Sequence, residues 1–203
     1  MVSDFYFINN LGHKRRFYDG LYKKHIIYNE EMAGDTLDDI LLNIKKENRA
    51  DVILGGFCKM GQIFFDGSIN YNIPIEYNEQ KDMFNDLMDT GKRLAYITYY
   101  SGDNSDIGGI KRDIERLGEK LEVYSNIKAK GRHLAFRRDD VMEYGKMLYK
   151  FKDKNNIDTI VGVMSGALEP VFLAMNIFKE IEFIPIRYSY YAQSDKEVKR
   201  PKF

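Results

Sequence analysis

The chain has 203 residues, 31 Lys+Arg against 31 Asp+Glu for a formal net charge of +0, 44% hydrophobic residues and 31% charged residues. This is globular composition, long enough to bury about 70% of its extended surface without a disulfide or metal staple. The balanced charge excludes the overall basic footprint of a general nucleic-acid binder, and the 16 Gly and 4 Pro exclude a collagen-like or low-complexity chain.

One cysteine, Cys58, excludes an internal disulfide framework. The first residues, Met1-Val2-Ser3-Asp4-Phe5, lack the basic-then-apolar order of a signal peptide. No run approaches the roughly 20 apolar residues of a membrane span. A cytoplasmic protein with no membrane partner is the expectation, with nucleic acid disfavoured as a partner except through a local basic patch.

In chain order, Phe5 to Ile8 reads as a short strand and Gly12-His13-Lys14-Arg15-Arg16 as a basic loop. Asp35-Thr36 opens a helix whose Leu37, Ile40, Leu41 and Ile44 share one face. Val52 to Leu54 reads as a buried strand ending at Gly55-Gly56. Residues 60–77 read as short strands around an Asp66-Gly67 hairpin turn. Met83, Leu87 and Met88 predict a helix closing near Gly91, and Leu94 to Tyr99 a further strand. After the loop Ser101 to Gly109, Ile107, Ile110, Ile114 and Leu117 predict an amphipathic helix that stops at Gly118. Leu121 to Tyr124 reads as a short strand. Asp139 or Asp140 caps a helix with Val141, Tyr144, Leu148 and Phe151 on its core face.

The C-terminal pattern is the most regular. Asp158 precedes Thr159-Ile160-Val161-Gly162-Val163, an apolar strand suited to burial on both faces. A small-residue turn, Met164-Ser165-Gly166-Ala167, leads into a helix with Leu168, Val171, Phe172, Met175 and Phe178 at helical spacing. Ile181 to Tyr190 forms a second strand. Strands alternating with helices predict an α/β protein: a mostly parallel sheet with helices on both faces, Rossmann-like in its C-terminal part. A boundary at residues 78–92 divides residues 1–91, an α/β region of no assigned role, from a core over residues 92–203.

Ligands of parallel sheets bind beyond the carboxyl ends of the strands. Ser165, Gly166, Ala167 and Leu168 expose backbone N–H groups at a helix N-terminus, a seat for phosphate or pyrophosphate. Arg187 arrives at the same rim on the next strand and suits an oxyanion. Tyr188 and Ser189 follow it, and then the charged stretch Asp195 to Pro201 with Lys196, Lys199 and Arg200.

An acid, an apolar strand, the Ser165-Gly166-Ala167-Leu168-Glu169-Pro170 turn, a helix, a strand ending Arg187-Tyr188-Ser189 and a basic loop stand here in that order. This resembles the first half of a type I phosphoribosyltransferase core and spans about residues 135–203. The resemblance implies transfer of ribose 5-phosphate from phosphoribosyl pyrophosphate to a nitrogenous acceptor with Mg²⁺. Ser165 to Leu168 and Arg187 would hold pyrophosphate, Lys196, Lys199 and Arg200 would close over it, Tyr188 and Ser189 would belong to the loop and acceptor side, and Tyr188 or Tyr190 would stack on a base acceptor. No catalytic residue is assigned, and a homodimer is among the assemblies open to such a chain.

The chain departs from that family in one element. An apolar strand ending in two acids, with a Thr-Gly loop, is expected after the basic loop, where the sequence reaches Phe203. Asp139-Asp140 stands on the wrong side of the turn and reads as a helix cap. The sequence is therefore expected to be a fragment, or a non-catalytic module that binds a phosphometabolite or nucleotide. In a third reading the chain is a nucleotide-sugar or nucleic-acid-processing protein in which residues 1–130 carry the function, with basic and aromatic residues near 13–28. His13, His25 and His133 lack metal-ligand spacing. Cys58 reads as a buried structural thiol, and Ser101 to Asp106 as a solvated acidic turn.

Overall fold

The structure is a computed structural model that describes residues 35–70, 75–129, 138–152, 157–164, 167–178 and 181–187. In chain order the described elements are α1 (Leu37–Lys46), α2 (Ala50–Asn70), α3 (Tyr77–Tyr96), a π-helical turn (Ile97–Ser101), α4 (Ile107–Leu121), a 3-10 turn (Glu122–Tyr124), α5 (Arg138–Lys152), β1 (Thr159–Met164), α6 (Leu168–Ile177) and β2 (Glu182–Arg187). Helix accounts for 75% of the described residues.

The expected sheet with helices on both faces is therefore replaced by a helical body carrying two parallel strands. The main cause is α2. Residues read as a strand at Val52 to Leu54 and as a hairpin over 60–77 lie largely in one 21-residue helix. Ile53, Leu54, Phe57, Met60, Ile63, Phe64 and Phe65 are all buried, so apolar residues surround much of the helix. A helix apolar on most sides gives little 3.6-residue period, and its short apolar runs look like buried strands. Its glycines are contact points. A Cβ on Gly61 would lie 2.5 Å from Leu168, and one on Gly67 would lie 2.3 Å from the Tyr124 ring.

The same reason moves two helix ends. Helix α3 passes through Gly91, which lies against the Phe172 ring, and continues to Tyr96. Helix α4 passes through Gly118, which lies against Leu41, and ends at Leu121. Leu94 to Tyr99, read as a strand, finishes α3 and enters the π turn, and Leu121 to Tyr124 closes α4 and forms the 3-10 turn.

Helix α1 forms as its sequence dictates. Thr36 and Asp39 make a reciprocal capping box, and Leu37, Ile40 and Ile44 face inward. Helix α5 begins at Arg138, so Asp139 and Asp140 lie in its first turn; Leu148 is buried, whereas Phe151 is 45% exposed.

Strands β1 and β2 pair in parallel from Thr159↔Glu182 to Met164↔Arg187, with α6 as the crossover. Leu168, Val171, Phe172, Leu173, Ala174 and Ile177 of α6 are buried. The sheet meets the helices through Phe183, whose ring stacks on Phe84 at 6.2 Å. Val161, expected inside, is 57% exposed because one face of the pair is open.

Candidate functional site

The β1–α6–β2 unit brings two of the expected site elements to one edge. The ladder sets Arg187 beside Met164, the last residue of β1. Ala167 precedes α6, and the Val171 N–H donates to its carbonyl at 2.9 Å. The first N–H groups of a helix have no intrahelical acceptor. Pro170 has no N–H, so those of Ala167, Leu168 and Glu169 face the end of the helix. The Leu168 side chain is 1% exposed, packed over Gly61, so its part in any seat falls to its backbone. Ser165, Gly166, Tyr188, Ser189, Lys196, Lys199 and Arg200 lie outside the described residues, as do His13, His25, His133 and the basic loop Gly12 to Arg16.

One functional group was missed. Glu169, in the first turn of α6, is partly buried, and the Tyr99 hydroxyl donates to its Oε1. Burial first, and then the like charge of Asp51, push its carboxyl pKa from 4.5 to about 7. Tyr99 reaches it from the π turn, which closes with the Gly102 N–H donating to the Ile97 carbonyl at 3.0 Å. Gly102 has φ 65, the left-handed geometry that glycine enters without strain. In the π turn Tyr99 is buried, while the partly buried Tyr100 stacks on the exposed Tyr96 at 5.8 Å. In sequence, Glu169 looks like an ordinary acid favoured by a helix N-terminus. Its signal, an approach from Tyr99, exists only in three dimensions.

Helix α2 packs on α6, with Gly61 against Leu168. Asp51 is held by Arg49 at 3.0 Å. Cys58 is partly buried, and its thiol is pushed well above its usual range by burial first and then by the Glu169 carboxylate. It is therefore a thiol at neutral pH, in agreement with a structural role. One turn further on, Gln62 is 3% exposed, and its side-chain carbonyl accepts no hydrogen bond.

A carboxyl that titrates near neutrality beside a helix N-terminus is suited to proton transfer and to charge control. Among the described residues no group of three His, Cys, Asp or Glu side chains converges as a metal site. The Ser101–Asp106 loop is satisfied locally: the Ser105 N–H donates to Asp103 at 2.9 Å, and Asp106 pairs with Arg93 at 2.7 Å. These residues do not assemble the donor set that Mg²⁺ prefers.

No family model matches the chain, and no curated protein or solved structure matches it. No helix among the described residues is long and apolar enough to cross a membrane.

Proposed function

We propose that this protein binds a phosphorylated small molecule at the carboxyl edge of β1 and β2. The N–H groups that open α6 receive the phosphate or pyrophosphate, and Arg187 neutralises it. The single observation that carries the reading is the parallel register Met164↔Arg187 across the β1–α6–β2 unit, which brings an arginine to the edge where the helix begins. Glu169 sets the charge of that edge.

In its narrower form the reading is transfer of ribose 5-phosphate from phosphoribosyl pyrophosphate to a nitrogenous acceptor. The bond between the ribosyl carbon and pyrophosphate oxygen breaks, and its electron pair leaves with pyrophosphate. The acceptor nitrogen forms the new bond and loses a proton. The helix N–H groups and Arg187 act by stabilising charge on the departing pyrophosphate. The family resemblance implies Mg²⁺ as the companion of the pyrophosphate.

A second reading is a phosphometabolite sensor that binds without turnover. The described residues, mostly helical with two parallel strands among them, favour it, because a transferase of the resembled family is expected to use a larger parallel sheet. A reducing cytosol as the site of action is supported by the single cysteine, Cys58.

Calorimetric titration with phosphoribosyl pyrophosphate, with and without Mg²⁺, tests both. Saturable binding that Arg187→Ala weakens at least tenfold is expected. Pyrophosphate release on adding nitrogenous acceptors would identify the transferase, and binding without release the sensor. No binding in either condition would remove both.

A further inference from the structure

Helix α5 packs on α6, and in its C-terminal half Gly145 and Leu148 are buried and Tyr144 is half-buried. Met147 and Phe151, one turn apart, stay 43% and 45% exposed. At 100° per residue, Lys146 and Lys150 extend the same outer arc beyond Met147. Lys152 closes the helix, with its Nζ 5.9 Å from the centre of the Tyr149 ring. Asp139, Asp140 and Glu143 all precede this half, so Tyr144 to Lys152 carries Lys146, Lys150 and Lys152 and no acid. No ion pair among the described residues includes Lys150 or Lys152. The outside of a helix is convex, and two side chains fall far short of the roughly 800 Å² that each side of a stable protein interface buries. A fluid lipid surface adapts to a convex face, and anionic head groups complement the lysines.

We propose that the C-terminal half of α5 is a peripheral contact for an anionic lipid surface. Met147 and Phe151 enter the boundary between head groups and acyl chains. Lys146, Lys150 and Lys152 lay their apolar stems along that boundary and hold their charges at head-group level. Two apolar anchors and three cations give weak, reversible association that salt weakens. Such a contact needs no spanning segment, and it stands independently of the phosphate seat at α6.

The test is co-sedimentation of the full chain with vesicles of phosphatidylcholine alone and of phosphatidylcholine with about one third phosphatidylserine. The wild type is expected to sediment with the anionic vesicles, less so as salt is raised, and to stay in solution with the neutral ones. Phe151→Ser removes an anchor, and Lys150→Glu with Lys152→Glu reverses the rim. Both act on exposed side chains, so both variants should melt with the wild type. Each is expected to lower the partition coefficient about tenfold. Leu42→Ser, at a 51% exposed position on α1, should leave it unchanged. No sedimentation with anionic vesicles, equal sedimentation with neutral ones, or binding that neither variant weakens would overturn the proposal. A chain that ignores the vesicles while an acidic amphipathic peptide shifts its α5 amide NMR signals would overturn it too, by showing that a protein segment is the occupant.

Discussion

Replacing Glu169 with Gln tests the buried carboxyl through stability rather than activity. The substitution keeps an oxygen that can accept the Tyr99 hydroxyl and removes the ionisable proton. Glu169 holds its proton more tightly in the folded chain, with a pKa of about 7, than at its ordinary value of 4.5. The folded state therefore binds more protons than the unfolded state between those limits, and wild-type stability falls as pH rises through them. The full interval corresponds to about 3 kcal/mol. This cost is absent below pH 4.5 and complete above about pH 7.5. Glu169→Gln carries none of it. The stability difference, variant minus wild type, should grow by about 3 kcal/mol between pH 4.5 and 7.5. At pH 8 that is a gain of roughly 6–12 °C in melting temperature for a chain of this size. Urea unfolding followed by circular dichroism at pH 5, 6, 7 and 8 measures the difference directly. A difference that does not change with pH, or one that shrinks as pH rises, would refute the burial of this carboxyl.

Three further outcomes check the packing and the thiol. Gly91→Ala should cost about 1–3 kcal/mol in urea unfolding, because its Cβ would stand 2.3 Å from the Phe172 ring, whereas Gly55→Ala has nothing within 4 Å and should stabilise the chain by about 0.5–1 kcal/mol. If both changes act alike, the close approach of α3 to α6 is wrong. Thr36→Ala removes one half of the capping box on α1 and should cost about 1 kcal/mol, with Asp39→Ala similar; a neutral result for both would show that the cap is not formed. Cys58 should react slowly with a disulfide reagent at pH 7 in the native protein and rapidly after unfolding in urea, since the native thiol is protonated; equal rates would contradict its burial beside Glu169.

What could be read in the sequence depended on how strongly each segment contrasts with its neighbours. The β1–α6–β2 unit was legible because an apolar, β-branched run meets a turn of small residues and then a helical period. Helix α1 was legible from its cap and its single apolar stripe, and the start of α4 from Ile107, Ile110 and Ile114. Helix α2 was not, because burial on most sides erases the period and its glycines imitate turns. Gly91 and Gly118 misplaced two helix ends for a related reason: each makes room for a side chain distant in sequence, Phe172 or Leu41. With α2 and the residues around Tyr99 counted as strands, the chain looked like a wide parallel sheet. At the candidate site, Arg187 and the turn were visible as types in order. Glu169 was not, since its partners Tyr99, Cys58 and Asp51 come from two other helical segments.

The central claim is an anion seat formed by the first N–H groups of α6 beside Arg187. A pyrophosphate titration of isotopically labelled protein, read by amide NMR shifts, tests it most directly. Saturating shifts are predicted to be largest at the amides of Ala167, Leu168 and Glu169 and at Arg187, and to collapse in Arg187→Ala. Shifts that do not saturate, or that concentrate away from these residues, would contradict it.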